Sequence, residues 1–203
     1  MQGKTLLKLL SGLTALSIAT PALAIMSVPY GWYLEGNLGS THTSNTNYPG
    51  STSTSGIGGN ANLGYKFMPY VAAEMGFTQY SNSTIKGNGG SIYSNTKAAH
   101  IKNYSYDLAI RGIVPIAASG FELFAKLGVE RVNARVSVDS QNAANALGIS
   151  ASNHSATGLY VGAGAQYYVM PELALNVQWQ RANGNSKTGN MDLFSGGISF
   201  IFD

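Results

Sequence analysis

The sequence predicts an all-β fold, an eight-stranded antiparallel up-and-down transmembrane β-barrel, from three observations. Eight segments alternate apolar and polar residues with a period of two, which is the signature of a strand with one apolar face. Short links that carry a proline alternate along the chain with long polar links. Only 10% of the residues are charged, against roughly 25% in ordinary soluble domains. Short periplasmic turns opposite long extracellular loops are typical of outer-membrane barrels.

The N-terminal segment is predicted to be a secretory signal peptide. Lys4 and Lys8 give it a basic start, an apolar run follows from Leu9 to Ala19, and Ala22-Leu23-Ala24 ends in an A-x-A site. This order is that of a cleaved signal, and the apolar run is shorter than the roughly 18 to 20 residues of a spanning helix. We therefore expect residues 1–24 to be removed and residues 25–203 to form the barrel.

Eight strands are predicted, with lengths close to the roughly 9 to 11 residues that a tilted membrane strand requires. In chain order they cover Trp32–Leu38, Asn60–Phe67, Val71–Thr78, Asn103–Arg111, Phe121–Glu130, Leu159–Tyr167, Leu173–Gln180 and Phe194–Phe202. The short links contain Pro69, Pro115 and Pro171. The long links are Gly39–Ser55, Ser81–His100, Val132–Thr157 and Arg181–Asn190, and in the third of them Ser140–Leu147 could form a helical turn.

The two faces of each strand have different predicted surroundings. A soluble sandwich would show the same periodicity, with its apolar faces in a shared core, and the period alone does not separate the two folds. The asymmetric links favour the barrel, whose apolar face meets lipid. An eight-stranded barrel is only wide enough for its own side chains. The charged residues predicted to point inward are Glu35, Lys66, Glu74, Asp107, Arg111, Glu122, Lys126 and Glu130.

Several segments carry a resemblance to a known family. The stretch Gly64–Phe77, which reads GYKFMPYVAAEMGF, resembles the second hairpin of the OmpA transmembrane domain. Further similar segments are Trp32-Tyr33 with Leu38-Gly39, Leu108–Gly128, Tyr167–Gln180 and Gly197–Phe202. The resemblance implies a porin-family surface protein in the cell outer membrane of a Gram-negative bacterium. The peptidoglycan-binding domain of OmpA-type proteins has no counterpart in these segments, and we do not expect its function here.

The resemblance also implies an ion-pair cluster in the lumen. Glu74, Arg111 and Lys126 match its positions, whereas Gln166 and Asn176 stand where a carboxylate and an arginine are expected. The predicted function is a structural and surface-interaction role of the adhesion type, with the lumen plugged by polar and charged side chains. The alternative is a narrow, low-conductance pore gated by the Glu74/Arg111/Lys126 cluster.

A weaker alternative is a lipid A-modifying enzyme. A serine hydrolase needs a serine, a histidine and an orienting carboxylate presented together. His154 and Ser155 are adjacent, and neighbours in an extended segment point to opposite faces. His42, His100 and His154 fall in different predicted loops without the carboxylates that usually orient metal-bound histidines. We predict no enzyme activity, no catalytic residue, no metal site and no cofactor.

The composition also limits the partners. The chain has no cysteine, which excludes disulfides and thiolate chemistry. Of the 12 basic residues two lie in the signal, so 10 remain against 9 acidic ones, and this balance gives no reason to expect nucleic-acid binding. We expect a monomer in contact with outer-membrane lipid and lipopolysaccharide. Arg131 and Arg135 are the predicted lipopolysaccharide contacts, and the polar loops are predicted to meet host-cell or phage surface ligands.

Overall fold

The computed structural model describes residues 30–44, 51–52, 55–86, 97–116, 119–185 and 188–202. The predicted signal, residues 1–24, lies outside the described residues. The strands are β1 (Gly31–Ser44), β2 (Ser51–Thr52), β3 (Ser55–Met68), β4 (Val71–Gln79), β5 (Ser83–Lys86), β6 (Lys97–Ile116), β7 (Phe121–Val138), β8 (Ser152–Met170), β9 (Leu173–Ala182) and β10 (Asn190–Phe202). Among the described residues, a short helix, α1 (Gln141–Ala146), follows β7.

Eight of these strands close a ring. Its order is β1, β3, β4, β6, β7, β8, β9 and β10, with β10 pairing back to β1, and every pairing is antiparallel. Beyond the end of β4, β5 takes its place beside β6, and β2 pairs with β5. Closure removes the unpaired strand edges that promote aggregation. The predicted eight-stranded antiparallel barrel is confirmed.

The outer surface of the ring carries a wide apolar band. Leu63, Leu108, Leu127, Val177 and Ile198 are among the many large apolar side chains that remain exposed on it. A continuous apolar surface of this extent would be a liability in water and is suited to lipid. Aromatic pairs border the band, with Trp32 packed on Tyr65 and Phe121 on Tyr167 near the short turns, and Phe77 packed on Tyr106 near the other end.

In the part of the chain that the structure describes, no helix is long and apolar enough to cross a membrane.

Several strands continue into segments that the sequence predicted as loops. β6, β7 and β8 contain 20, 18 and 19 residues, and β7 and β8 include the two ends of the predicted loop Val132–Thr157. The predicted loops Gly39–Ser55 and Ser81–His100 likewise contain strand residues. Within Ser140–Leu147 the expected helical turn is present as α1. Backbone groups above the lipid can still pair across strands, so polar composition there does not end the sheet.

The polarity of the two faces inverts along β6 and β7. In the membrane-spanning part of these strands Leu108 and Leu127 face outward while Arg111 faces the lumen. Nearer the long links the inward side chains become apolar, and Lys102 is exposed on the outer face. These inward residues form a buried cluster with residues of α1 and the segment after it: Ile85, Ala99, Ile101, Ala134, Val136, Ala144 and Ile149. The inversion marks the height at which the outer face stops meeting lipid.

Candidate functional site

The centre of the lumen is occupied by the carboxylate of Glu35 on β1. Arg111 Nη1 lies 2.8 Å from Glu35 Oε2, and Lys126 Nζ lies 3.3 Å from Oε1. The amides of Asn37, Asn62 and Gln178 also donate to Oε1, at 3.0, 2.9 and 3.2 Å. Glu35 is fully buried. A buried carboxylate is tolerated only when it is paired and hydrogen-bonded, and five donors from five strands meet that requirement.

A second carboxylate completes the central ion cluster, which consists of Glu35, Glu74, Arg111 and Lys126. Glu74 Oε1 lies 2.7 Å from Lys126 Nζ, and Oε2 lies 3.6 Å from Arg111 Nη1. The Tyr33 hydroxyl donates to Glu74 Oε2 at 2.8 Å. Arg111 and Lys126 sit opposite one another on β6 and β7, where like charges repel. The two carboxylates offset that repulsion and leave the cluster neutral.

Next to the central ion cluster, Gln166 stands where the family resemblance predicts a carboxylate. Arg111 Nη2 donates to Gln166 Oε1, and Gln166 Nε2 donates to Glu122 Oε2. Glu122 in turn pairs with Lys66 at 3.0 Å. Gln166 therefore links two ion pairs without adding charge, which explains how a neutral residue fits a position where a carboxylate was expected. Asn176, the other substituted position, is buried and its side chain has no partner among the described groups.

Buried apolar side chains form a layer on each side of the central ion cluster, and on the short-turn side the Lys66–Glu122 pair lies among them. On the short-turn side a layer is formed by Tyr33, Ala72, Ile113, Phe124, Tyr168, Ala174 and Ile201. On the other side a layer is formed by Tyr80, Val132, Ala182, Met191 and Leu193. The Arg111 guanidinium lies 3.6 Å from the Phe124 ring centroid. The gap beside Arg111, Gln166 and Tyr168 has a volume of 10 Å³, about the minimum for one water molecule.

Two further buried carboxylates lack a counterion. Asp107 and Glu130 are directly opposite one another on β6 and β7, and both face the lumen. Among the residues described, no cation lies within 4.0 Å of either, and no side chain hydrogen-bonds to them. The Asp107 carboxylate fills the space over Gly76, where a Cβ would come within 2.6 Å of Oδ2. Like charges placed opposite one another in a sheet are destabilising.

Asp107→Asn is therefore expected to stabilise the barrel. The amide removes one of the two like charges and can donate to Glu130, so the free energy of unfolding should rise by about 1–3 kcal/mol, the cost of a buried polar group left unsatisfied. Urea unfolding of the refolded protein in lipid vesicles measures this. Asp192→Asn is the matched control, because Asp192 accepts two hydrogen bonds from Arg181. It should lower the same free energy by up to about 1 kcal/mol. An equal loss of unfolding free energy in both variants would contradict the assignment of Asp107 and Glu130 as buried carboxylates without a counterion.

The other residues singled out in the sequence lie outside the central cluster. Arg131 and Arg135 are exposed on the outer face of β7. The histidines predicted in loops instead lie on strands, where His42 contacts Ser55, His100 contacts Asp139 and His154 contacts Ser152. That placement in loops was wrong because β1, β6 and β8 extend above the lipid. Over the described ranges, no group of three histidine or acidic residues could hold a metal ion.

One histidine contact was missed by the sequence analysis. Ser152 and His154 are two residues apart on β8, so their side chains share the inward face, and Ser152 Oγ lies 3.2 Å from His154 Nε2. A serine nucleophile also needs a carboxylate to orient the histidine. None of the described carboxylates pairs with His154. The contact therefore supplies two members of a triad, on the face turned away from lipid.

The comparisons with known proteins agree with this architecture. The model of the outer membrane protein beta-barrel domain matches residues 9–202. OprG from Pseudomonas aeruginosa is 17% identical with a TM-score of 0.65, over 88% of this chain and 99% of OprG. Neisserial surface protein A (NspA) is 22% identical with a TM-score of 0.53, over 85% and 97% of the two chains. The search of curated proteins gave no match.

Ail of Yersinia pestis, solved in complex with the heparin analogue sucrose octasulfate, is similar as well. It is 14% identical with a TM-score of 0.53, over 85% of this chain and 99% of Ail. At these identities the solved structures show the fold, and the family match spans nearly the whole sequence. The predicted family and the predicted location in the outer membrane of a Gram-negative cell are both confirmed. The chain belongs to the outer membrane protein β-barrel domain family.

Proposed function

We propose that the protein is a sealed outer-membrane barrel whose role is structural and interactive, of the adhesion type, and not enzymatic. The observation that carries the proposal is the layered lumen. The central ion cluster lies between one apolar layer around Phe124 and another around Leu193. A hydrated ion would have to pass between the packed side chains of both layers, and the gap beside Arg111 has room for about one water molecule.

The upper part of the barrel supports the same conclusion. Residues Ala144 and Ile149, in and after α1, pack among inward-facing side chains of β5, β6 and β7. The segment between β7 and β8 thus adds a further apolar obstruction at the extracellular mouth. We propose that the surface role belongs to the outer rim and the loops, toward host-cell or phage ligands. We further propose a monomer from which residues 1–24 have been removed as a signal peptide.

The alternative, a narrow pore gated by Glu74, Arg111 and Lys126, is less well supported. A gap next to Arg111 has a volume of 10 Å³, which is too small for a hydrated ion. Both cations are held by Glu35 as well as by Glu74, so movement of Glu74 alone would leave them anchored. A gate built on Glu74 would have to break the Glu35 contacts too.

Planar-bilayer recording of the purified protein separates the two functions. We expect no resolved conductance steps from the wild type and none from Glu74→Ala, because the apolar layers remain in both. Heat-modifiable gel migration of the same samples checks that the barrel is folded. Discrete steps in the wild type that change in size in Glu74→Ala would overturn the sealed barrel in favour of the gated pore.

A further inference from the structure

The exposed basic residues that the structure describes are concentrated on one side of the barrel. Six described basic residues face away from the lumen. One of them, Arg181 on β9, is paired with Asp192, because its Nε and Nη2 atoms donate to that carboxylate at 2.8 and 2.9 Å. The other five lie on three consecutive strands of the wall, at the end near the long loops: Lys86, Lys97, Lys102, Arg131 and Arg135. Among the described residues, this distribution makes one side of the barrel basic.

Three of these cations form what we call the basic patch: Lys102, Arg131 and Arg135. Lys102 and Arg135 are directly opposite one another on β6 and β7, and Arg131 lies opposite Tyr106 on the same outer face. No salt bridge among the described residues includes any of the three. Opposed like charges destabilise a sheet unless a counter-ion lies between them. The patch is thus complementary to an anion.

A pocket lies beside the basic patch. It has a volume of 210 Å³ and is lined by Tyr104, Asn133, Ala134, Arg135, Asn153, His154 and Ser155. Arg131 Nη2 donates to Ser155 Oγ at 3.3 Å, which places its guanidinium at the edge of the pocket. A water occupies roughly 30 Å³ in the liquid, so the pocket has room for a phosphoryl group and part of a sugar. Amides, a hydroxyl and a phenol ring supply further polar contacts for a sugar.

The height of the patch identifies the anion. Tyr104 and Tyr106 pack edge to face with ring centroids 5.9 Å apart, and Leu108 and Val129 of the apolar band lie directly below them. Tyrosines at this position mark the level of the lipid headgroups. Inward-facing residues on the same strands turn apolar above it, so the outer face leaves the lipid here. The headgroup anions of the outer leaflet are the phosphates of its glycolipid, lipopolysaccharide.

We propose that Lys102, Arg131 and Arg135 bind a sugar phosphate of lipopolysaccharide, with the neighbouring pocket holding part of the sugar. Arginine presents a planar fork that matches phosphate oxygens in pairs, and lysine adds a point charge. The inference deepens the surface role proposed above and rests on it for the choice of a membrane glycolipid. It adds Lys102 and the pocket to the two arginines that the sequence indicated.

Binding of purified lipopolysaccharide to the folded protein in detergent micelles, measured by titration calorimetry, tests the proposal. Arg131→Gln and Arg135→Gln should each weaken binding by about tenfold, because each removes charge-assisted hydrogen bonds. Arg181→Gln is the matched control, with the same chemical change at a guanidinium that Asp192 already occupies. It should leave binding within about twofold of the wild type. Wild-type affinity in both patch variants would overturn the proposal.

Titrations with three other ligands show which molecule supplies the phosphate that binds. Enzymatically dephosphorylated lipopolysaccharide should bind at least tenfold more weakly than the intact form. If inorganic phosphate at the same concentration displaces the glycolipid, the site takes free phosphate and the glycolipid assignment fails. Equal binding of a sulfated polysaccharide would also overturn it, in favour of a different anionic partner.

The sealed-barrel proposal fails independently of this one. Bilayer recordings without lipopolysaccharide report only on the lumen, and the patch faces the opposite way from it. Conductance steps together with weakened binding in Arg135→Gln would remove the sealed barrel and keep the phosphate site. If no conductance steps are recorded and Arg131→Gln and Arg135→Gln bind lipopolysaccharide like the wild type, the sealed barrel stands and the phosphate site is removed.

Discussion

Glu35→Gln is expected to lower the free energy of unfolding by about 3–5 kcal/mol, the usual effect of breaking a buried ion pair by removing one partner. The substitution keeps the shape of the side chain and removes its charge. Arg111 and Lys126 would then share Glu74 alone. The new amide would also place its own N–H groups among the five donors that now point at the carboxylate. Urea unfolding in lipid vesicles, followed by tryptophan fluorescence, measures the change.

Glu172→Gln is the control for this experiment. Glu172 lies exposed in the turn between β8 and β9, and the same chemical change there should stay within about 0.5 kcal/mol of the wild type. If Glu35→Gln matches that control, the carboxylate does not hold the central ion cluster together. A folded Glu35→Gln barrel that also conducts in a planar bilayer would show that the cluster helps to seal the lumen.

Leu127→Arg is expected to destabilise the barrel in lipid by about 2–4 kcal/mol, the cost of a cation on the lipid face near the bilayer midplane. Leu127 is 60% exposed and lies between Lys126 of the central ion cluster and Gly128. In a soluble protein a change at so exposed a position would stay within about 0.5 kcal/mol. Urea unfolding in vesicles made of lipids with a defined acyl-chain length measures this change in the free energy of unfolding.

His42→Arg provides the comparison for Leu127→Arg. His42 is exposed near the loop end of β1, above the apolar band, where the same residue should cost no more than about 1 kcal/mol. The difference between the two variants reports the depth of Leu127 in the bilayer. Similar small effects at both positions would argue that the apolar band faces something other than hydrocarbon, and the assignment of the two faces would have to be abandoned.

The alternation of residue types was enough to predict the wall of the barrel and the contents of its lumen. Each of the eight predicted strands lies within an observed strand of the ring. The charged residues predicted to point inward are all buried, including Lys66, Asp107 and Glu130. Period-two patterning assigns side chains to faces directly, and in a closed barrel one face is the lumen.

The central place of Glu35 could not be predicted in the same way. Its position on the inward face was predicted, whereas the cluster residues were taken from the resemblance, which indicated Glu74, Arg111 and Lys126. Which inward residues meet across a lumen depends on the stagger of the strands around the barrel. Glu35 and Arg111 are separated by 76 positions in the chain, and their contact at 2.8 Å follows from that stagger.

The length of β6, β7 and β8 was missed for a different reason. Ser, Thr and Asn are frequent above the lipid, and their abundance was interpreted as a sign of loops. A weaker signal was present, because Ala99 and Ile101 lie two positions apart on β6, and Ala134 and Val136 lie two positions apart on β7, so each pair shares one face of its strand. In both strands this face is the inward one, whereas in the membrane-spanning part of the same strands the apolar residues face outward. A search for inverted alternation next to each predicted strand would have found the extensions.

Because β6, β7 and β8 are longer than the membrane requires, the protein presents an ordered wall of paired strands at the cell surface. The 20 residues of β6 extend about 66 Å at roughly 3.3 Å per residue, or about 47 Å in height at a tilt near 45°, against an apolar band about 25 Å tall. About 20 Å of paired wall thus stands clear of the bilayer core. A molecule that recognises this wall meets backbone already ordered by folding, so little conformational entropy is lost when the two associate.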